Sequence, residues 1–86
     1  MAAGDIEMIN VLFFGPVVER VGSAALQVEF LPGMRLQDLR DELAAQYPDA
    51  FEIVCFAAVD GNHVRDLAMP LADNSEVTFM AKFSGG

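Results

Sequence analysis

Leu36 to Tyr47 reads L-Q-D-L-R-D-E-L-A-A-Q-Y, and this stretch decides the architecture. Leu36, Leu39, Leu43 and Tyr47 recur at helical spacing and line a single apolar stripe. Asp38, Asp41 and Glu42 fall on or near the opposite face. They read as a solvated surface rather than as a catalytic carboxylate pair. Pro48 stops the helix, because the residue before a proline avoids helical angles. Arg35 stands near the N-cap and has no acceptor oxygen to offer there. Relative to Ser or Thr, that loss is about 1 kcal/mol.

Strands flank this helix on both sides. Upstream, Ala25 to Leu31 alternates cleanly: Leu26, Val28 and Phe30 point one way, Gln27 and Glu29 the other. Pro32-Gly33 then forms a turn. Further back, Met8 to Phe14 (M-I-N-V-L-F-F) is β-branched and aromatic, apolar on both sides apart from Asn10, which suits a central strand. Gly15-Pro16 breaks it, and a short helix over Val17 to Val21 stops at Gly22. Downstream, Val54 to Asp60 is a third strand. Asp60-Gly61 signals a hairpin into a short strand near His63 to Arg65. Pro70 to Ser75 is a polar turn, and Glu76 to Phe83 is the last strand, with Val77, Phe79, Ala81 and Phe83 on one face. A helix crossing between strands implies an α+β fold: one mixed sheet with the main helix on one face. The other sheet face is expected to be partly bare, and an apolar bare face would be a partner site.

The 86 residues make one domain. Residues 1–7 read as a flexible N-terminal extension, 8–83 as the folded domain and 84–86 as a flexible tail. Apolar residues make up 53% of the chain, far above what a disordered chain carries. Thirteen acidic residues against five basic ones repel phosphate backbones, which argues against nucleic-acid binding. The acidity would suit a partner with a basic docking groove, or it serves solubility alone. One cysteine, Cys55, forms no internal disulfide or multi-cysteine metal site, and the chain reads as cytoplasmic. No secretion signal or apolar run of membrane-spanning length is evident.

The chemistry points to the end of the chain, Phe83-Ser84-Gly85-Gly86. Two glycines after a last strand have no side chains to pack and add nothing to the fold. They do make a thin peptide that threads a narrow channel, with an unhindered carboxylate on Gly86 at its tip. A partner enzyme could activate that carboxylate with ATP and leave the acyl-adenylate open to sulfur or nitrogen. The bland reading is a frayed tail that happens to be glycine.

The opening I-N-V-L-F-F-G-P-V-V-E-R-V-G-S resembles the start of the small subunit of molybdopterin synthase, within the ubiquitin-like sulfur-carrier family. The likeness continues through L-Q-D-L-R-D-E-L, A-A-V-D-G-N and P-L-A-D-N-S-E-V-T-F to the terminal Gly-Gly. Its sharpest element is D-N-S-E-V a short distance before that pair. The resemblance implies a β-grasp, ubiquitin-like fold. It implies that Gly86 is adenylated by an E1-like enzyme and converted to a thiocarboxylate by a sulfur donor system. The tail then enters the large synthase subunit, where sulfur passes to a cyclic pterin precursor and builds the dithiolene. Gly85 and Ser84 would thread the channel. Such a carrier binds no cofactor or metal, and ATP is consumed by the activating partner. It is not catalytic alone, so the acid, base and oxyanion contacts must come from that partner.

The family usually carries a Pro-Pro pair just before its last four residues. Here those positions are Ala81 and Lys82. Without the stiffening of proline, the tail is more flexible or sheet pairing continues to about Phe83. The departure leaves the acceptor pathway open, since related carriers serve thiamine, cysteine and tRNA thiolation; a ubiquitin-like modifier is a further alternative. Met80, Lys82 and Phe83, which lead into the tail, are the candidate partner contacts. Met80 and Phe83 cannot both face one side of a regular strand, and Phe83 is the favoured contact. Cys55, inside V-C-F-A-A, reads as a buried small hydrophobe. His63, the only histidine, reads as a solvated residue after a turn and makes no metal signature.

Overall fold

The structure, a computed structural model, describes residues 7–81. Its elements are β1 (Met8–Phe13), α1 (Pro16–Val21), β2 (Ala25–Glu29), α2 (Leu36–Gln46), α3 (Pro48–Phe51), β3 (Val54–Val59), β4 (Asn62–Val64) and β5 (Glu76–Ala81). The five strands form one sheet in the order β2-β1-β5-β3-β4. β1 and β5 pair in parallel, and the other three pairings are antiparallel. This is the mixed sheet of a β-grasp fold, with β1 and β5 inside it as the apolar opening stretch implies.

Strand alternation sorts the residues between two faces. Ile9, Val11 and Phe13 of β1 are buried, as are Val77, Phe79 and Ala81 of β5. Registration brings Val11 beside Val77 and Phe13 beside Phe79. Leu36, Leu39 and Leu43 of α2 join the same core, together with Val17 of α1 and Ala50 and Phe51 of α3. The Phe79 ring stands at the centre. It stacks on Phe13 at 6.3 Å and meets Phe51 edge-on at 5.1 Å, the offset and T-shaped geometries that aromatic rings favour.

Three local features differ from the sequence reading. First, α2 ends at Gln46, and Tyr47 leaves helical geometry as its C-cap, with φ −130° and ψ 64°. Pro48 then opens a new helix, α3, rather than only closing the old one. Proline suits the first helical turn, where its missing N–H has no partner to lose. Second, the strand at Ala25 ends at Glu29, short of Leu31, which is 55% exposed. Third, Cys55 is exposed, not buried. Val54 pairs with Ala81 and Phe56 with Met80, so Cys55 is an extra residue in the ladder. Burial was inferred from the apolar run around it, and a bulge of this kind leaves the extra residue unpaired in the ladder.

The weak N-cap of α2 is offset from elsewhere in the chain. The β4–β5 connection folds back so that the N–H groups of Leu36 and Gln37 donate to the carbonyls of Met69 and Leu67, at 2.9 and 2.8 Å. Two orphan donors of the first helical turn are thus satisfied by backbone. The Arg35 N–H donates to the Asp38 carboxylate at 2.9 Å, which is one half of a capping box. The hairpin turn is also as its residues require: Asp60 and Gly61 both have positive φ, 51° and 86°, the geometry of a type I′ turn.

Candidate functional site

Residues 82–86 lie outside the described residues, so Lys82, Phe83, Ser84, Gly85 and Gly86 are placed only by where β5 delivers the chain. That delivery is well defined. Asn74 adopts a left-handed conformation, φ 66°, and its N–H donates to the Met8 carbonyl at 3.0 Å. Ser75 is buried, and its hydroxyl donates to the Ala72 carbonyl at 2.7 Å while accepting from the Ala72 N–H at 3.1 Å. The Asp60 carboxylate accepts from the Glu76 N–H at 2.9 Å. The D-N-S-E-V motif is therefore a structural device. The Ser75 hydroxyl, the Asn74 backbone and the Asp60 carboxylate from the hairpin turn together set the start and register of β5.

The strand remains paired as far as Ala81, which lies opposite Val54 and is buried. Of the two consequences foreseen for the missing proline pair, continued pairing holds at Ala81. Proline there would replace the buried methyl with a ring and fix φ.

The sheet has a helix-free face, and three large apolar side chains lie near the end of β5. Met80 lies on that face, opposite in sense to Val77, Phe79 and Ala81, and is half-buried. Its register partner on β3 is Phe56, 43% exposed. Phe14 follows β1 directly and is 52% exposed. Because Phe13 is level with Phe79, Phe14 leaves β1 at the same end of the sheet as Met80. His63, in β4, tilts against the Phe56 ring at 6.0 Å. Met80 is thus brought together with Phe14 and Phe56, two residues that sequence reasoning did not single out. The signal for Phe14 was its place after Phe13: neighbours on a strand face opposite ways, so one of two adjacent phenylalanines had to face outward. Exposed apolar side chains at one corner mark an interaction site more often than a solvated surface.

Among the described residues no group of three or more His, Cys, Asp or Glu is arranged to hold a metal ion. What the arrangement offers is a partly exposed apolar surface of Met80, Phe56 and Phe14 at the end of β5.

A model of the ThiS family matches residues 11–86. The fold is also that of several solved structures. A proposed subunit 1 of molybdopterin converting factor from Pyrococcus furiosus superposes with a TM-score of 0.79 at 21% identity, over 90% of this chain and 99% of that one. Small archaeal modifier protein 1 from Methanosarcina acetivorans gives 0.77 at 22% identity, over 96% and 100%. The complex of subunits 1 and 2 of molybdopterin-converting factor from Helicobacter pylori gives 0.63 at 23% identity, over 92% and 99%. No curated protein matches the sequence itself.

Proposed function

Because this chain belongs to the ThiS family of ubiquitin-like sulfur carriers, we propose that it is the sulfur-carrying small subunit of a molybdopterin synthase. The observation that carries this reading is the family match, which runs through Gly85 and Gly86. The structural likeness to the subunit 1 and 2 complex supports a large-subunit partner for this chain.

The chemistry needs no side chain of the carrier. The Gly86 carboxylate attacks the α-phosphorus of ATP on an E1-like enzyme, and pyrophosphate leaves. A persulfide of the donor system then displaces AMP to give an acyl disulfide, and a second thiol attacks the donor-side sulfur, so that the thiocarboxylate leaves and the donor is left as a disulfide. The large subunit receives the tail and directs the sulfur to a cyclic pterin precursor. Ser84 and Gly85 keep the peptide thin enough to enter its channel. The apolar corner around Met80, Phe56 and Phe14 holds the body of the carrier against that subunit.

The direct test is intact mass with C-terminal fragmentation of the chain isolated from cells holding its native partners. One oxygen of Gly86 replaced by sulfur is the expected result. A plain carboxylate, even after incubation with ATP, an activating enzyme and a sulfur donor, defeats the carrier reading. The same tail permits a second reading, supported by the likeness to an archaeal modifier protein: an amine replaces sulfur as nucleophile and the chain becomes attached to lysines. Isopeptide adducts in place of a thiocarboxylate would decide for it. Among sulfur pathways, reconstitution with a large synthase subunit and the pterin precursor separates this acceptor from thiamine, cysteine and tRNA thiolation.

Met80→Asp tests the docking surface. It sets a charge at the apolar corner and leaves the buried face untouched. Affinity for the large subunit is expected to fall at least about tenfold, with stability changed by less than about 1 kcal/mol. Unchanged affinity in a titration against the large subunit removes Met80 from the interface.

A further inference from the structure

The open edge of β3 carries a second binding surface, which adjoins the apolar corner at Phe56 and extends away from it along the edge. β4 covers β3 only from Ala57 to Val59. After Val64 the chain abandons the sheet to reach the start of α2, where Leu67 and Met69 supply the carbonyls described above. The first half of β3, Val54 to Phe56, is left without an outer neighbour among the described strands. Between this bare edge and the departing chain lies a groove of about 520 Å³, within the roughly 300–1,000 Å³ range of ligand sites. Val54, Cys55 and Phe56 form one side, Arg65 and Leu67 the other, and Arg40 reaches in from α2.

The charge of this groove runs against that of the molecule. The chain carries five basic residues against thirteen acidic ones. Of the basic residues within 7–81, Arg20 donates to the Asp49 carbonyl and Arg35 to the Ala68 carbonyl. Arg40 and Arg65 remain, both line the groove, and neither is hydrogen-bonded or ion-paired to a described residue. Two unsatisfied guanidinium forks beside an uncovered strand edge favour a ligand with both carboxylates and an extended backbone. A strand edge offers main-chain hydrogen bonds to an added strand, and the flanking arginines select the side chains it bears.

We propose that the β3 edge at Val54–Phe56 receives an extended acidic peptide segment of a partner protein as an added strand, with Arg40 and Arg65 reading its carboxylates. The bulge at Cys55 sets where that added strand begins to pair. Neither the tail nor sulfur transfer takes part, so the proposal stands or falls apart from the function above.

The test titrates the full-length, nitrogen-15-labelled chain with a short blocked peptide of alternating glutamate and valine. Amide shifts centred on Cys55, Phe56 and Arg65 are expected, weakening as salt rises. The Arg40→Gln/Arg65→Gln double variant is expected to lower affinity at least about tenfold, whereas Arg20→Gln leaves it unchanged. Should the double variant fail to fold, each single variant reads the same loss in part. Equal binding of a lysine–valine peptide overturns the charge assignment. Equal binding of a glutamate–valine peptide with proline at its centre overturns strand addition. The same shifts from inorganic phosphate, with displacement of the peptide, reduce the groove to a small-anion site and overturn the proposal. Shifts confined to the β2 edge place the site elsewhere and do the same.

Discussion

Removing Gly85 and Gly86 is expected to abolish the proposed sulfur transfer and to leave the fold as it was. The expected loss is complete, because the terminal carboxylate then sits on Ser84, two residues short of the partner's reacting centre and beside a side chain. The core is closed within the described residues, from Ile9 to Ala81, so unfolding free energy should stay within about 0.5 kcal/mol of the parent. The measurement pairs a urea melt with a reconstituted assay containing the activating enzyme, a sulfur donor and the large subunit. Residual transfer by the shortened chain, with no sulfur on its Ser84 carboxylate by mass, would mean that another group carries the sulfur. Cys55 is then the one to examine, because it is the only thiol and it is exposed. A collapse in stability would instead mean that the glycines pack, which contradicts the reason for having them.

Phe79→Ala has the opposite signature. Phe79 is fully buried between Phe13 and Phe51 and lies in register with Phe13 on β1 and Ala57 on β3. Truncating such a ring costs about 3–5 kcal/mol through lost burial and the cavity left behind. Small domains have about 5–15 kcal/mol of stability in total. This one substitution therefore removes a large share of it, and the urea midpoint should fall steeply with little change in slope. A cost below about 1 kcal/mol would show that the centre of the core lies elsewhere. Because Phe79 stands three positions before Lys82, loss of carrier function in this variant would follow from unfolding and says nothing about docking. Met80→Asp is the informative neighbour.

Much of the fold was legible because its signals are periodic. The Leu36, Leu39 and Leu43 stripe, the alternation in Glu76 to Ala81 and the Asp60-Gly61 turn each leave a pattern in the sequence, and each is found as expected. What escaped reading lacks a period. The helix at Pro48–Phe51 spans barely one turn and cannot show an apolar repeat. Cys55 was misplaced because the apolar run around it does not reveal the bulge that leaves it exposed. The N-terminus of α2 seemed uncapped because its partners, Leu67 and Met69, lie in a distant connection. The tail was read from chemistry alone, while Phe14 and Phe56 were hidden inside runs that are apolar on both sides. Only the sheet register shows which of those side chains face outward.

The position of β5 also bears on how the protein is made. The last strand of the described fold is not added at an edge but lies between β1 and β3, bonded to both. A nascent chain that has not yet emitted Glu76 to Ala81 has two halves of a sheet and nothing to join them. Joining them requires contacts between the two ends of the sequence, the kind that form late and slowly. Shortened products of interrupted synthesis therefore lack a closed core and are open to proteolysis. On the carrier function proposed above, only molecules whose synthesis has run to its end would offer both a closed core and the Gly86 carboxylate.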